Sequence, residues 1–248
     1  MEKRFYVENQ IQNSFTLQGE EFVHLSKVLR LRVGDTVECF TDNSDIYTCE
    51  ITLIEKNSAT LKVISNKKCE SNPKHNLTLF QALPKLDKLE LVTQKFTELG
   101  GVSIVPFESK FCIAKQNQNK IERLKKIVIS ACKQCGRTKL VEISNCVLFK
   151  ELPKLLQSYD LVIFANETEN GKNQTIKNAI NKLKQNLNDK ALNIAYIVGS
   201  EGGFSSDEIE LLTSIENVVS VSLGKRILRT ETASISLASI LTYELENF

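Results

Sequence analysis

The sequence predicts a two-part α/β protein, in which a small, mostly β module precedes a larger domain built on a mainly parallel sheet. Three observations predict this arrangement. Short strand-like runs separated by turn residues extend from Phe5 to about Val63. From Leu77 onward, strand-like and helix-like runs alternate. The polar stretch 65–76 between them has the composition of a linker, so we expect domains at 1–71 and 72–248.

Composition places the chain among ordinary globular proteins. Its 248 residues are 42% hydrophobic and 25% charged, and the formal net charge of +2 is too small by itself to indicate a nucleic-acid-binding protein. No apolar run approaches the ~20 residues needed to cross a bilayer, and the first residues lack the apolar stretch of a signal peptide. We therefore expect a cytoplasmic protein with no membrane partner.

The cysteines indicate a reducing compartment. There are seven of them, an odd number, beside only two histidines, so we expect neither a disulfide framework nor a metal site. Cys132 and Cys135 have the CxxC spacing of a redox pair, but they lie in a helical pattern with no second pair to complete a metal site. We favour two ordinary cysteines on a helix face.

Within the β module, we expect strands at 5–7, 35–40, 46–54 and 60–64. The segment from Glu20 to Leu31 has apolar residues at helical spacing, which predicts one helix. In the second domain, we expect strands at 77–83, 102–107, 161–165, 194–198 and 218–223, and helices at 86–99, 120–135, 176–187, from 205 onward and at 231–246.

A glycine-rich turn follows the apolar run 194–198, which is typical of a central strand. Ligands bind where such strands end, and the turn comprises Gly199, Ser200, Glu201, Gly202 and Gly203. Its spacing fits neither a phosphate loop nor a dinucleotide-binding loop, and the acidic residues around the next helix start disfavour a phosphate. The helix start itself is specified by Ser205 and Glu208, which have capping-box spacing. From the glycines alone, a plain tight turn explains the segment as well as a ligand site does.

A second strand, 218–223, also ends in a glycine, Gly224, and a basic segment follows it before the last helix. The run Gly-Ser-Glu-Gly-Gly-Phe-Ser at 199–205 together with Leu-Gly-Lys-Arg-Ile-Leu-Arg-Thr-Glu-Thr-Ala at 223–233 resembles the RsmE family of small-subunit ribosomal RNA methyltransferases, in the SPOUT superfamily. Further matches in the same order lie at 24–35, 95–100 and 134–137, so the resemblance covers almost the entire chain. Ser200 stands where the family usually has proline, and serine permits the turn.

The resemblance implies a fold and a cofactor that composition does not reveal. It implies a PUA-like β-barrel followed by a trefoil-knotted α/β domain, although chains generally do not thread loops. It also implies a homodimer that binds S-adenosyl-L-methionine, chiefly through backbone groups that glycines leave accessible. The cofactor-binding residues expected on this basis are Phe164, Ala165, Gly199, Ser200, Glu201, Gly202, Gly203, Leu223, Gly224, Ile227 and Leu228.

The activity implied by the resemblance is methylation of a uridine in 16S ribosomal RNA at N3, within the small ribosomal subunit. The base must be unpaired or extruded, and its carbonyl oxygens must hold negative charge as N3 loses its proton. Arg229 is our candidate for stabilising that charge, with a salt bridge to Glu201 or Glu231 as the alternative. Glu201 is the candidate for accepting or orienting the proton, and a role in holding Arg229 or the backbone is equally consistent.

Basic residues predict the RNA-binding surface. Between 110 and 139 they outnumber the single acid Glu122, and the buried stripe of the predicted helix leaves most of them on other faces. A solvated helix face would explain them, but together with the cations of the β module they favour phosphate contact. The predicted RNA-binding residues are Lys27, Arg30, Arg32, Lys126, Lys133 and Arg137.

Two other classes of function compete with this one. A non-catalytic RNA-binding factor for ribosome assembly would keep the fold and lack cofactor affinity. A nucleotide-dependent oxidoreductase is disfavoured because the dinucleotide-binding glycine spacing is absent. A cysteine nucleophile is not required either, because methylation at nitrogen needs no covalent activation of the ring, and we expect Cys135 to be dispensable.

Overall fold

The protein is described by a computed structural model that covers residues 3–8, 13–41, 45–85, 87–113, 118–166, 175–185 and 190–246. It divides into two compact units. The first comprises Met1–Asn72 with Ile129–Leu140, and the second comprises Pro73–Val128 with Val141–Phe248. Nothing in the sequence pattern indicated that 129–140 groups with the first unit, and the domain boundary between 71 and 72 stays a prediction.

The first unit contains a five-stranded sheet in the order β1-β3-β4-β5-β2. β1 is parallel to β3, and the other pairs are antiparallel. The strands are β1 (Arg4–Tyr6), β2 (Ser14–Gln18), β3 (Thr36–Phe40), β4 (Asp45–Ile54) and β5 (Ser58–Lys68). Helix α1 (Gly19–Val23) and a π-helical turn (His24–Val28) connect β2 to β3.

Three details of the first unit differ from the sequence predictions. β2 was not predicted, although alternate residues of this strand are buried. The helix predicted to Leu31 ends at Val28, and Arg30 has a φ of +52°, which takes the chain out of the helical region. The predicted linker was drawn too long, because β5 continues to Lys68. The core beneath the sheet is apolar, with Phe5, Phe15, Leu25, Ile51 and Leu61 among its buried residues.

The second unit is built on a parallel sheet, as the sequence predicted. Its order is β12-β10-β11-β6-β7-β8, and β9 also pairs with β7. The strands are β6 (Asn76–Ala82), β7 (Ser103–Glu108), β8 (Glu142–Ile143), β9 (Val147–Leu148), β10 (Leu161–Ala165), β11 (Asn193–Val198) and β12 (Val218–Val221). β8 and β9 are too short to leave a sequence pattern.

The helices that alternate with these strands lie close to the predicted positions. They are α2 (Lys88–Glu98), α3 (Gln118–Cys135), α4 (Leu152–Leu156), α5 (Ile176–Gln185), α6 (Ser206–Thr213) and α7 (Thr230–Glu246). α4 follows a 3₁₀ turn (Phe149–Glu151), and neither was predicted. Within the described ranges, no helix is both long and apolar enough to cross a membrane.

The central strands explain where the site lies. β6, β10 and β11 are buried along almost their entire length, as continuous apolar runs in a parallel sheet require. Because β10, β11 and β12 are parallel neighbours, their carboxyl ends meet at one edge of the sheet. Asn166 and the loops 199–205 and 222–229 lie at this edge, and α7 begins directly after the last loop.

Candidate functional site

The loops at the carboxyl ends of β10, β11 and β12 enclose a cavity of about 380 Å³. This volume lies within the range of about 300–1,000 Å³ that is typical of small-molecule sites. Its position is also the usual one for ligands in open parallel sheets. The lining residues are Lys88, Ala165, Asn166, Val198–Glu201, Gly203, Phe204, Ile209, Ser222–Thr230 and Ala233.

The glycine-rich turn is tight and leaves no room for a side chain at Gly199 or Gly202. The Gly203 amide donates to the Ser200 carbonyl over 3.0 Å, and Gly203 has a φ of +65°. A Cβ atom at Gly199 would lie 2.9 Å from Cε2 of Phe204 and 3.2 Å from Cα of Gly203. The turn therefore forms with Ser200 in place, and Gly199, Ser200, Glu201 and Gly203 line the cavity.

Phe204 fixes one wall of the cavity because aromatic rings surround it. Its ring centroid lies 5.0 Å from that of Phe164 in an edge-on arrangement and 6.3 Å from that of Phe107 in a stacked one. Phe164 is fully buried and does not line the cavity. It supports the wall from behind, by packing against Phe204.

The helix after the turn begins where the sequence predicted. The Ser205 hydroxyl accepts from the Glu208 amide, and the Glu208 carboxylate accepts from the Ser205 amide over 2.9 Å. The capping box is thus confirmed. The second Glu208 oxygen accepts from the Lys110 amide over 2.8 Å, so the carboxylate also holds the segment after β7.

A buried hydrogen-bond network ties the turn to the start of α7. The Thr230 hydroxyl donates to the Gly199 carbonyl over 2.6 Å and accepts from the Gln81 amide nitrogen over 2.9 Å. The Ser234 hydroxyl donates to the Gln81 side-chain oxygen. Gln81, Thr230 and Ser234 are at most 5% exposed, so water does not replace these bonds.

A second contact between these elements is ionic. Nζ of Lys88, at the start of α2, donates to Oε1 of Glu201 over 2.8 Å and lies 3.4 Å from Oε2 of Glu231. The Lys85 amide also donates to Glu201, over 3.1 Å. Partial burial raises the pKa of Glu201, but the hydrogen bonds from Lys88 and Lys85 outweigh it and bring that pKa below its ordinary value. The hydrogen bond to Glu201 raises the pKa of Lys88 above its ordinary value.

Arg229 lies on the cavity wall with its side chain exposed. Its carbonyl accepts from the Ala233 amide over 2.9 Å, so Arg229 is the residue from which α7 starts. The sequence left open a salt bridge from Arg229 to Glu201 or Glu231. In the described part of the chain, both carboxylates pair with Lys88 instead.

The structure brings most of the predicted cofactor residues together. Ala165, Gly199, Ser200, Glu201, Gly203, Leu223, Gly224, Ile227 and Leu228 line the cavity. Phe164 and Gly202 do not, and Gly202 faces Phe111 instead, whose Cβ would lie 2.7 Å from a Cβ at that position. Sequence reasoning missed Thr230 and Phe204, which adjoin the predicted segments. It also missed Lys88, which precedes Phe204 by more than a hundred residues and belongs to no motif.

The predicted RNA-binding residues differ in their accessibility. Lys27, Arg30, Arg32 and Lys126 are exposed. Nζ of Lys133 lies 2.9 Å from Oε1 of Glu21, and this side chain is only 19% exposed. Arg137 is 2% exposed, so an RNA contact by this residue requires its side chain to leave its present position.

The cavity contains no cysteine among its described lining residues, and none of the seven cysteines, all of which lie in the described ranges, forms a disulfide bond. Within the described ranges, no three or more His, Cys, Asp and Glu side chains are grouped so that they could hold a metal ion. The charged side chains that line the cavity are those of Lys88, Glu201, Lys225, Arg226 and Arg229.

Comparison with known proteins defines the class to which this fold and site belong. Residues 70–242, more than half of the chain, match the family model of an RNA methyltransferase domain. Residues 17–64 match that of an RNA methyltransferase PUA domain. The α/β fold with a PUA domain is therefore that of an RNA methyltransferase.

Relatives narrow this class further. The ribosomal RNA small subunit methyltransferase E of Rickettsia conorii is 35% identical over 94% of this chain and 92% of that protein. The protein of the same name from Bacillus subtilis is 30% identical over 98% of this chain and 97% of its own. A crystal structure of the Neisseria gonorrhoeae protein of this name, bound to S-adenosyl methionine, has a TM-score of 0.82 at 26% identity and covers 97% of each chain. The chain belongs to the ribosomal RNA small subunit methyltransferase E family, which confirms the resemblance seen in its motifs.

Proposed function

We propose that this chain methylates N3 of a uridine in 16S ribosomal RNA, with S-adenosyl-L-methionine as the methyl donor. Family membership supports an RNA methyltransferase, and the motifs at 199–205 and 223–233 support the uridine N3 specificity. The observation that carries the proposal is the cavity, because it unites these two motifs at one edge of the sheet and places Arg229 on its wall.

The residues present fit the cofactor. The cavity has the volume of a small-molecule site, and the glycines that line it carry no Cβ, which permits close approach of a ligand to the backbone. Gly224 has a φ of +113° with open space around its missing Cβ, so a ligand can approach the backbone there. We propose that the lining residues named above hold the cofactor. Phe164 and Gly202 act from behind the cavity, where Phe164 packs against Phe204 and Gly202 against Phe111. When bound, the cofactor supplies an electrophilic methyl group.

The protein's own part in the reaction is orientation and charge stabilisation. N3 loses its proton to water and forms a bond to the methyl carbon, while the bond from that carbon to sulfur breaks and leaves its electron pair on sulfur. Negative charge is carried by the uracil oxygens between loss of the proton and formation of the neutral product. A guanidinium at Arg229 donates hydrogen bonds to those oxygens without changing its protonation state. Its place at the start of α7, beside the glycine turn, lets it reach a base that has been extruded into the cavity mouth.

Exposed cations support an RNA-binding surface. Lys27, Arg30 and Arg32 occupy one short exposed segment of the first unit, and Lys126 is exposed on α3 of the second. Such side chains bind phosphates without reading sequence. We propose that these four contact the RNA backbone. Lys133 and Arg137 remain predicted contacts that need a rearrangement of their present environments.

The finer features of the assembly belong to the same proposal. We propose a trefoil knot. It is supported by the path of the chain, which runs from β12 at the sheet edge, passes the turn after β11 and enters α7, and α7 packs on α2. We propose a homodimer, supported by Ile240 and Tyr243, which are 40% and 60% exposed on α7. The proposal also includes domains at 1–71 and 72–248, a small-subunit substrate and a cytoplasmic location. A light-scattering mass and an experimental structure test the dimer and the knot.

One assay tests the central proposal. Small ribosomal subunits that lack the modification are incubated with the purified protein and labelled S-adenosyl-L-methionine, and the RNA is digested to nucleosides. We expect label in N3-methyluridine. A folded protein that binds the cofactor by calorimetry but yields no labelled N3-methyluridine contradicts the specificity. A folded protein that binds RNA but not the cofactor points instead to an assembly factor without catalysis.

A further inference from the structure

Lys88 lies on the cavity wall between two carboxylates. Its Nζ contacts Glu201 over 2.8 Å and Glu231 over 3.4 Å. The three side chains are only 24%, 29% and 15% exposed, so bulk water screens this group less than it screens a surface pair. The group is therefore well placed to determine the local charge of the site.

The three residues come from three separate elements. Lys88 begins α2, Glu201 lies in the turn after β11, and Glu231 lies in the first turn of α7. The ion pairs consequently join the glycine-rich turn to the start of α7, which directly follows Arg229. They act beside the buried Thr230 network, which links the turn to the same helix from the interior.

Removing the Lys88 cation would leave the Glu201 and Glu231 carboxylates without the ammonium group that both of them contact. Glu201 and Arg229 line the same cavity, and Glu231 follows Arg229 by two residues. A carboxylate pair without Lys88 would attract another cation of the cavity wall, such as the Arg229 guanidinium, since opposite charges at a partly buried site interact more strongly than in water. Arg229 would then pair with Glu201 or Glu231 and be withdrawn from substrate.

We propose that Lys88 is a positioning residue for methyl transfer, which neutralises Glu201 and Glu231 and thereby leaves Arg229 available for the uracil oxygens. The inference rests on the function proposed above for Arg229. It assigns Glu201 to the same ion-pair group and not to proton transfer. A carboxylate that already accepts from Lys88 and from the Lys85 amide is a poor proton acceptor.

The test compares four variants: Lys88→Met, Lys88→Arg, Glu201→Gln and the double variant Lys88→Met/Glu201→Gln. Lys95→Met is the matched control, because Lys95 lies on the same helix and forms an ion pair of 2.9 Å with Glu98. Neither of these two residues lines the cavity. The single-turnover rate of RNA methylation is measured at saturating cofactor, together with the calorimetric cofactor affinity and the midpoint of thermal unfolding.

We expect Lys88→Met to lower the methylation rate at least tenfold, while Lys95→Met stays at the wild-type rate. Lys88→Arg should restore most of the rate, because it restores the cation. The double variant should be faster than Lys88→Met, because one of the two unneutralised charges is gone. In the protein without cofactor, an NMR titration should show the pKa of Glu201 raised by Lys88→Met and unchanged by Lys95→Met.

Three results would overturn the inference. The first is a Lys88→Met rate equal to that of Lys95→Met. The second is a Glu201→Gln protein that folds and binds cofactor normally but transfers no methyl group, which would make Glu201 the proton acceptor. The third is a double variant as slow as Lys88→Met. A normal rate in Arg229→Met would instead refute the proposed role of Arg229, so the two failures are distinguishable.

Discussion

Replacing Thr230 by valine tests how the glycine-rich turn at 199–203 is held in place. Valine has nearly the same shape as threonine but lacks the hydroxyl that donates to the Gly199 carbonyl over 2.6 Å. After the change, that carbonyl retains only the Gln81 amide nitrogen, at 3.4 Å. The Gln81 amide keeps the Ala82 carbonyl as a partner over 3.0 Å. One buried acceptor is thus left poorly bonded, and the remainder of the network survives.

The expected cost follows from the number of groups left without a partner. Leaving one buried polar group unsatisfied costs about 1–3 kcal/mol. In a protein of this size, about 1 kcal/mol shifts the unfolding midpoint by about 2–4 °C, so Thr230→Val should lower it by about 2–12 °C. If the same cost falls on the cofactor-bound conformation of the turn, affinity for S-adenosyl-L-methionine falls by roughly 5- to 150-fold.

Calorimetry measures both quantities, by thermal scanning without cofactor and by titration with it. Thr230→Ser keeps the hydroxyl and should lie between the valine variant and the wild type. Thr232→Val is the matched control, because Thr232 is exposed two residues further along α7. If Thr230→Val differed from Thr232→Val in neither midpoint nor affinity, the buried network would not be what holds the turn.

Three further predictions address other parts of the molecule. Cys135→Ser should leave the methylation rate unchanged, because no thiol adduct is needed at nitrogen, and an inactive but folded variant would indicate a nucleophile. Lys27→Gln or Arg32→Gln should weaken the salt dependence of RNA binding, which fluorescence anisotropy measures. The slope of log affinity against log salt concentration should fall by about 0.7 for each phosphate of a single-stranded RNA that the variant no longer binds. An unchanged slope would show that the residue is not part of the interface. The stabilising effect of ionised Glu201 should be fully present above its ordinary pKa of 4.5 and be lost as pH falls through its lower folded value. Denaturation of wild type and Glu201→Gln across that range checks this, and a difference that persists at lower pH would contradict it.

Local sequence signals predicted the elements that frame the site. The run 194–198 and the Ser205 capping box specify a strand, a turn and a helix start within a few residues, and the structure has β11 at Asn193–Val198 and α6 from Ser206. The short strands β8 and β9 escaped prediction because two residues cannot show a period. β2 was missed although its burial alternates, since five residues between a turn and a helix give a weak signal.

Long-range placement was not predictable in the same way. Lys88 reaches Glu201 only because α2 follows β6, which pairs with β11, and no spacing along the chain encodes that neighbourhood. The motifs at 199–205 and 223–233 identified Glu201 and Arg229 but not Lys88, the cation that pairs with Glu201. Similarly, Arg137 counted as a basic surface residue in the sequence, whereas it is 2% exposed in the fold. Charge alone does not distinguish an arginine on the surface from one in the interior.

Arg229 lies where the glycine-rich turn, which we propose binds the cofactor, is linked to the start of α7. Its carbonyl starts α7, and the next residue, Thr230, is bonded to the carbonyl of the cofactor turn. One residue further on, Glu231 is held by Lys88, which also holds Glu201 in that turn. A change in the conformation of 199–203 must therefore move or strain the start of α7, because the Thr230 link is short and buried and the Lys88 link is partly buried. It follows that a ligand that orders the turn also orders the backbone from which the Arg229 guanidinium, our proposed charge-stabilising group, extends.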